Sequence, residues 1–131
     1  MATRGLLVAL LLLTVSPQTP PLFPVHVESP LYPPLARMAR IQGDIVVSAL
    51  VGTDGHVIGV PNAPSGHPLL AKAAEENIKT WRFQSGVEGE VKITYHFKMQ
   101  GKPTYGYPET ICEFDFPDSI TIITNVPAPN P

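Results

Sequence analysis

The chain has 131 residues, enough for one domain with a short extension. A formal net charge of −2 and a pI near 6.0 leave no basic footprint for nucleic acid. The single cysteine, Cys112, excludes an internal disulfide, so an exported chain would keep it buried, modified or paired with another chain.

Met1 to Arg4 forms a short positive segment, and Gly5 to Val15 is an apolar run without a charge. At ~11 residues the run is too short for the ~20 needed to span a bilayer and fits the apolar core of a secretory signal. Residues 1–18 read as that signal, with cleavage after Gln18 or Thr19; retention as an uncleaved anchor is the alternative. Residues 19–30 form a proline-rich linker, part of an extended stretch from Pro17 that would reach ~40–45 Å in a polyproline-like state.

Tyr32 to Arg40 suits a short helix with Pro33 or Pro34 in its first turn, and Leu35, Met38 and Ala39 fall on one side. Gly43 ends the segment. Asp44 to Val51 alternates, with Ile45, Val47, Ala49 and Val51 facing one way. Gly52 to Gly55 is a turn, and His56 to Val60 returns as a second strand. Asp54 reads as a turn aspartate bonding its own backbone rather than a metal ligand or catalytic group.

His67-Pro68 starts a second helix with an apolar stripe of Leu69, Leu70, Ala73, Ala74 and Ile78, which Trp81 extends by one turn. Lys72, Glu75, Glu76 and Lys79 lie outside the stripe as a solvated face. Trp81 therefore reads as a packing residue, and Phe83 continues the packing in extended conformation. From Gly89 to Met99, Val91, Ile93, Tyr95 and Phe97 alternate with Lys92, Thr94, His96 and Lys98, which describes a strand with one apolar face.

These elements predict an α+β fold: a two-layer sandwich over residues 31–100, with a small antiparallel three-stranded sheet and two helices on one face, in the order α-β-β-α-β. Residues 101–131 form a tail. Within it, Ile111 to Phe116 and Ile120 to Thr124, joined by Pro117-Asp118-Ser119, predict a C-terminal β-hairpin extension over 111–124. Residues after Asn125 are expected to lack regular structure.

Little in the chain points to chemistry. His26, His56, His67 and His96 do not fall at metal-ligand spacing. Ser65-Gly66-His67 lacks the flanks of a nucleophile elbow, and Glu75-Glu76 face apart on a helix. The expectation is a non-enzymatic protein with no catalytic residue, metal or cofactor.

Taken together, Tyr32-Pro33, the Ala- and Arg-rich short helix, Gly43, Asp54-Gly55 and the Trp81-Arg82-Phe83 ending occur in an order that resembles the TonB C-terminal domain family. The resemblance covers residues ~30 to 99. It implies a periplasmic, cell-envelope domain that recognises an extended segment of an outer-membrane transporter, which adds as a strand beside the last strand of the sheet. Carried onto this chain, that strand is Glu90 to Met99, with Glu90, Lys92, Thr94, His96 and Lys98 as partner-binding residues and a weak preference for acidic peptides. Tyr32, Pro33, Gly43, Asp54, Gly55, Trp81 and Phe83 are then the structural motif. The short apolar run and the short linker make this a stand-alone exported member. The alternative is an envelope assembly protein that uses the domain to dimerise, with Cys112 as an inter-chain bridge.

Overall fold

The computed structural model describes Gly5, residues 22–106 and residues 108–129. The signal segment expected over residues 1–18 and its cleavage point lie, save for Gly5, outside the described residues. In chain order the elements are β1 (Pro24–His26), α1 (Pro34–Met38), β2 (Gly43–Val51), β3 (Val57–Gly59), α2 (Pro68–Ile78), β4 (Arg82–Phe83), β5 (Gly89–Thr104), β6 (Thr110–Asp115) and β7 (Ser119–Pro127).

The expected three-stranded antiparallel sheet is replaced by a five-stranded mixed sheet in the order β3-β2-β5-β7-β6, with a separate two-stranded sheet of β1 and β4. β2 and β5 pair antiparallel from Gly43↔Phe97 to Val51↔Gly89. The correction lies on the other side of β5. There β7 runs parallel to it, from Thr94↔Ser119 to Gln100↔Asn125 and on to Thr104↔Pro127, and β6 pairs antiparallel on the outside of β7. The chain leaves β5, descends as the outermost strand and returns between the two. The hairpin is thus part of the sheet rather than an appendage to it.

The physical reason is in the pattern of the hairpin itself. Ile120, Ile122 and Thr124 alternate onto the helix-covered face and are buried, beside Tyr95 and Phe97 of β5. Without β7 these β5 side chains would be open at one flank and the β5 backbone would be a bare edge from Thr94 onward. Regular structure also continues past Asn125, to Pro127.

Both helices pack on the face formed by Ile45, Val47, Ala49, Val51, Val91, Ile93, Tyr95, Phe97, Ile120 and Ile122, in one core. α2 buries Leu70, Ala71, Ala74 and Ile78, with Leu69 and Ala73 half-covered. Its first turn is capped by His67, whose Nδ1 accepts from the Leu69 N–H at 3.2 Å. α1 is only five residues long, and its buried side chains are Ala36 and Arg37. Leu35 and Met38, which share one side, are each 67% exposed. So short a helix docks through the residue small enough for close approach, Ala36, and turns its larger apolar residues outward.

The linker is tied down from residue 22. Pro24–His26 pairs with Arg82–Phe83, and Gln84 N–H donates to Phe23 O at 2.9 Å. The turn between β2 and β3 docks on the same segment. Phe83 N–H donates to Gly55 O at 2.8 Å, and Gly86 N–H donates to Thr53 O at 2.7 Å.

Candidate protein-interaction site

The strand singled out by its alternation, Glu90 to Met99, lies at the centre of the sheet. Val91, Ile93, Tyr95 and Phe97 are buried under the helices, while Glu90, Lys92, Thr94, His96 and Lys98 lie on the opposite, open face. The five are not equally free. Glu90, Lys92 and Lys98 are exposed, whereas Thr94 and His96 are half-buried.

The flank away from β2 is divided. Thr94 N–H donates to Asp118 O at 2.8 Å, and from there β7 occupies the edge. Backbone groups alternate sides along a strand, so those of Thr94, Lys92 and Glu90 point the same way. Among the described residues no strand pairs with Glu90–Ile93 on that side. A shallow cavity runs beside them, lined by Leu22, Pro117 and Asp118.

Two sets of side chains hold β7 in place, and sequence reasoning identified neither. The first crosses three strands. His96 Nδ1 lies 2.7 Å from Asp44 Oδ1 on β2, and its Nε2 lies 3.1 Å from Ser119 Oγ on β7. With Nδ1–H donating to the carboxylate, Nε2 accepts the serine hydroxyl. Carboxylate, imidazole and hydroxyl follow the order used by serine hydrolases. Here the Asp44 side chain is 66% exposed and the three residues lie on an open sheet face, so the arrangement laces strands together. Positions 44, 96 and 119 are too far apart in sequence to suggest a cluster before the register is known.

The second set involves Arg37 on α1, which is buried to 9% exposure. Its Nε donates to Asn125 O at 3.1 Å and its Nη2 to Asn125 Oδ1 at 3.0 Å. The guanidinium thus forks onto the far end of β7. The sequence places Arg37 in a helix but says nothing about a partner 88 residues away.

The motif residues are spread through the fold. Tyr32 is buried, sits edge-on to Phe97 with ring centroids 5.4 Å apart, and donates its hydroxyl to Ile41 O. Burial pushes that hydroxyl's pKa up to about 12. Pro33 O accepts from Arg37 N–H at 2.9 Å in the first turn of α1, and Gly43 opens β2. Asp54 Oδ1 accepts from His56 N–H at 3.0 Å, which holds its carboxyl below the usual range. Trp81 is 3% exposed, and its ring lies 6.2 Å from both Phe83 and Tyr95 and 6.4 Å from Phe114 of β6. Cys112 is half-buried; its Sγ–H donates to Pro30 O at 3.6 Å, and burial raises its pKa.

The family model described as Gram-negative bacterial TonB protein C-terminal matches residues 28–103. No curated protein matches the chain. TonB C-terminal domains are non-enzymatic protein-interaction domains of the periplasm and cell envelope that engage outer-membrane proteins in general. The match takes in α1 through nearly all of β5 and ends before the β6–β7 hairpin. It covers more than half of the sequence, and the chain belongs to the TonB C-terminal domain family.

Proposed function

We propose that the protein is an exported envelope module that takes an extended segment of an outer-membrane transporter as an added strand beside Glu90–Met99, and that its own hairpin holds this edge when no partner is present. The observation that carries the reading is β7 itself, an extended segment seated in parallel on Thr94–Gln100. In β-augmentation, main-chain hydrogen bonds supply affinity and alternate side chains supply selectivity. β7 meets both needs from within the chain.

An incoming strand begins at the open stretch Glu90–Ile93, pairs with it, and then replaces β7 from Ser119 onward. It must compensate for the two isoleucines it lifts from the core, worth about 1.5–3 kcal/mol each. A competent partner therefore carries apolar side chains at two alternate positions, in register with Ile120 and Ile122. Lys92 and Lys98 on the open face favour acidic residues between them.

The alternative, an assembly protein bridged through Cys112, has less support. The thiol is half-buried, bonded to Pro30 O and raised in pKa, all of which slow its oxidation.

The test is to measure binding of extended peptides from outer-membrane transporters to the full mature chain and to a chain lacking residues 101–131. Tighter binding after the deletion is expected, and equal binding would sink the idea of a self-held edge. Because the deletion also uncovers Tyr95 and Phe97, amide exchange of Ser119–Thr124 in the full chain should be followed as peptide is added. Faster exchange there marks displacement of β7.

A further inference from the structure

We infer that Arg37 is the residue that reads a strand seated on β5, and that the segment it fits best carries a carboxylate where β7 carries Asn125. The inference rests on the reading of this edge as a strand-addition site and adds to it a specificity residue and a ligand chemistry.

Arg37 is a nine-tenths buried cation, and among the described residues no carboxylate lies within ion-pair distance of it. Its fork is filled instead by two neutral oxygens, Asn125 O and Oδ1. A carboxylate oxygen in the place of Oδ1 would take the Nη2–H as a charge-assisted bond, roughly twice as strong as a neutral one, while the backbone carbonyl keeps the Nε–H. Asn125 therefore occupies two of the donors of Arg37 without balancing its charge.

The surroundings accept the exchange. Asn125 Nδ2 donates to Thr104 Oγ1, a hydroxyl that can turn and donate to a carboxylate oxygen in the same place. Lys102 and Glu109 line the cavity around this side chain with opposite charges. An external strand in the register of β7, with Asp at this position, gains at Arg37 what β7 does not. The built-in occupant is thus the weaker ligand at one point, as a displaceable one must be.

The test replaces the side chain inside the full chain and reads amide exchange of Ile120–Thr124. With Arg37 present, protection should rise in the order Ala, Asn, Asp at position 125, with roughly tenfold slower exchange in N125D than in the wild type. In an R37Q background the advantage of Asp over Asn should vanish. Equal or faster exchange in N125D overturns the inference, and so does an advantage that survives R37Q. Should R37Q fail to fold, K102Q in the N125D chain takes its place, and a gain that disappears with Lys102 overturns the assignment to Arg37. The two readings fail separately. Failure of any added peptide to speed exchange of β7 counts against strand addition, while the ranking at position 125 is read within one chain.

Discussion

Asn77 on α2 and Tyr95 on β5 meet at a single atom: Asn77 Oδ1 accepts the Tyr95 hydroxyl at 2.9 Å and also the Trp81 indole N–H at 2.8 Å. The other end of the amide, Nδ2, donates to Glu28 O at 3.0 Å. One side chain thus ties helix, sheet and the N-terminal strap together. Removing it leaves two buried donors unpaired, each costing about 1–3 kcal/mol. Asn77→Ala is expected to lower stability by at least about 2 kcal/mol, and Asn77→Asp by less, since an acceptor remains. Urea midpoints followed by Trp81 fluorescence check both. An unchanged midpoint for the alanine variant would show that Asn77 is no hub.

A second prediction concerns the turn between β2 and β3. Gly55 has φ +85°, and a Cβ there would lie 2.1 Å from Phe83 O. The backbone conformation alone costs a non-glycine residue about 1–3 kcal/mol. The clash adds to that and strikes backbone that cannot turn aside. Gly55→Ala should separate the turn from β4, visible as faster exchange of the Phe83 and Gly86 amides and a lower melting temperature. Gly101, also at positive φ (+86°) but with nothing within 4 Å of its Cβ, is the control and should lose less.

This contact also marks how far the sequence was readable. The alternation of Ile45 to Val51 and of Val91 to Phe97 is local information, and the structure buries those residues on one face. The stripe from Leu69 to Trp81 is of the same kind, although Leu69 and Ala73 are only half-covered. The placement of the hairpin is not local. Cys112, Phe114, Ile120 and Ile122 alternate whether the hairpin stands apart or joins the sheet, and only the bare flank of β5 decides between the two. The pairing of Pro24–His26 with Arg82–Phe83 was hidden for a similar reason, since prolines around a three-residue strand resemble a linker. At the candidate site the open-face residues from Glu90 to Lys98 follow from periodicity. Arg37, Asp44 and Ser119 depend on register across distant strands and left no signal in spacing.

Alkaline pH should act through the two buried tyrosines. Burial raises the Tyr32 hydroxyl to about 12 and pushes Tyr95 well up as well. A folded-state pKa above the unfolded value of about 10 means that the unfolded chain loses its proton first. The stability tied to these groups is therefore fully present below pH ~10 and is lost as pH rises toward 12. Melting temperature should be flat across neutral pH and fall through that window, in step with tyrosinate absorbance. In Tyr32→Phe the fall should be shallower, while stability at neutral pH drops because the bond to Ile41 O is gone. A wild-type protein that kept its melting temperature through the window would refute the assignment.

His96 is the test of how firmly the edge is held. It bridges Asp44 on β2 and Ser119 at the first residue of β7, where a displacing strand would begin. The Asp44 contact is largely in solvent and worth about 0.2–1 kcal/mol, and the half-buried bond to Ser119 about 0.5–1.5 kcal/mol. These sums are small beside the burial of Ile120 and Ile122. His96→Ala should therefore barely move the global melting temperature, yet it should free the start of β7, with several-fold faster exchange at Ser119–Thr121 and little change at Ile122–Thr124. Under the proposed function the same variant should bind added transporter peptides more tightly, because the first step of displacement is the one His96 resists. Ser119→Ala removes one of the two bonds and should give a smaller version of the same effect. Uniform loosening of all of β7 would mean instead that the hairpin opens as one unit, leaving His96 no control over where displacement begins.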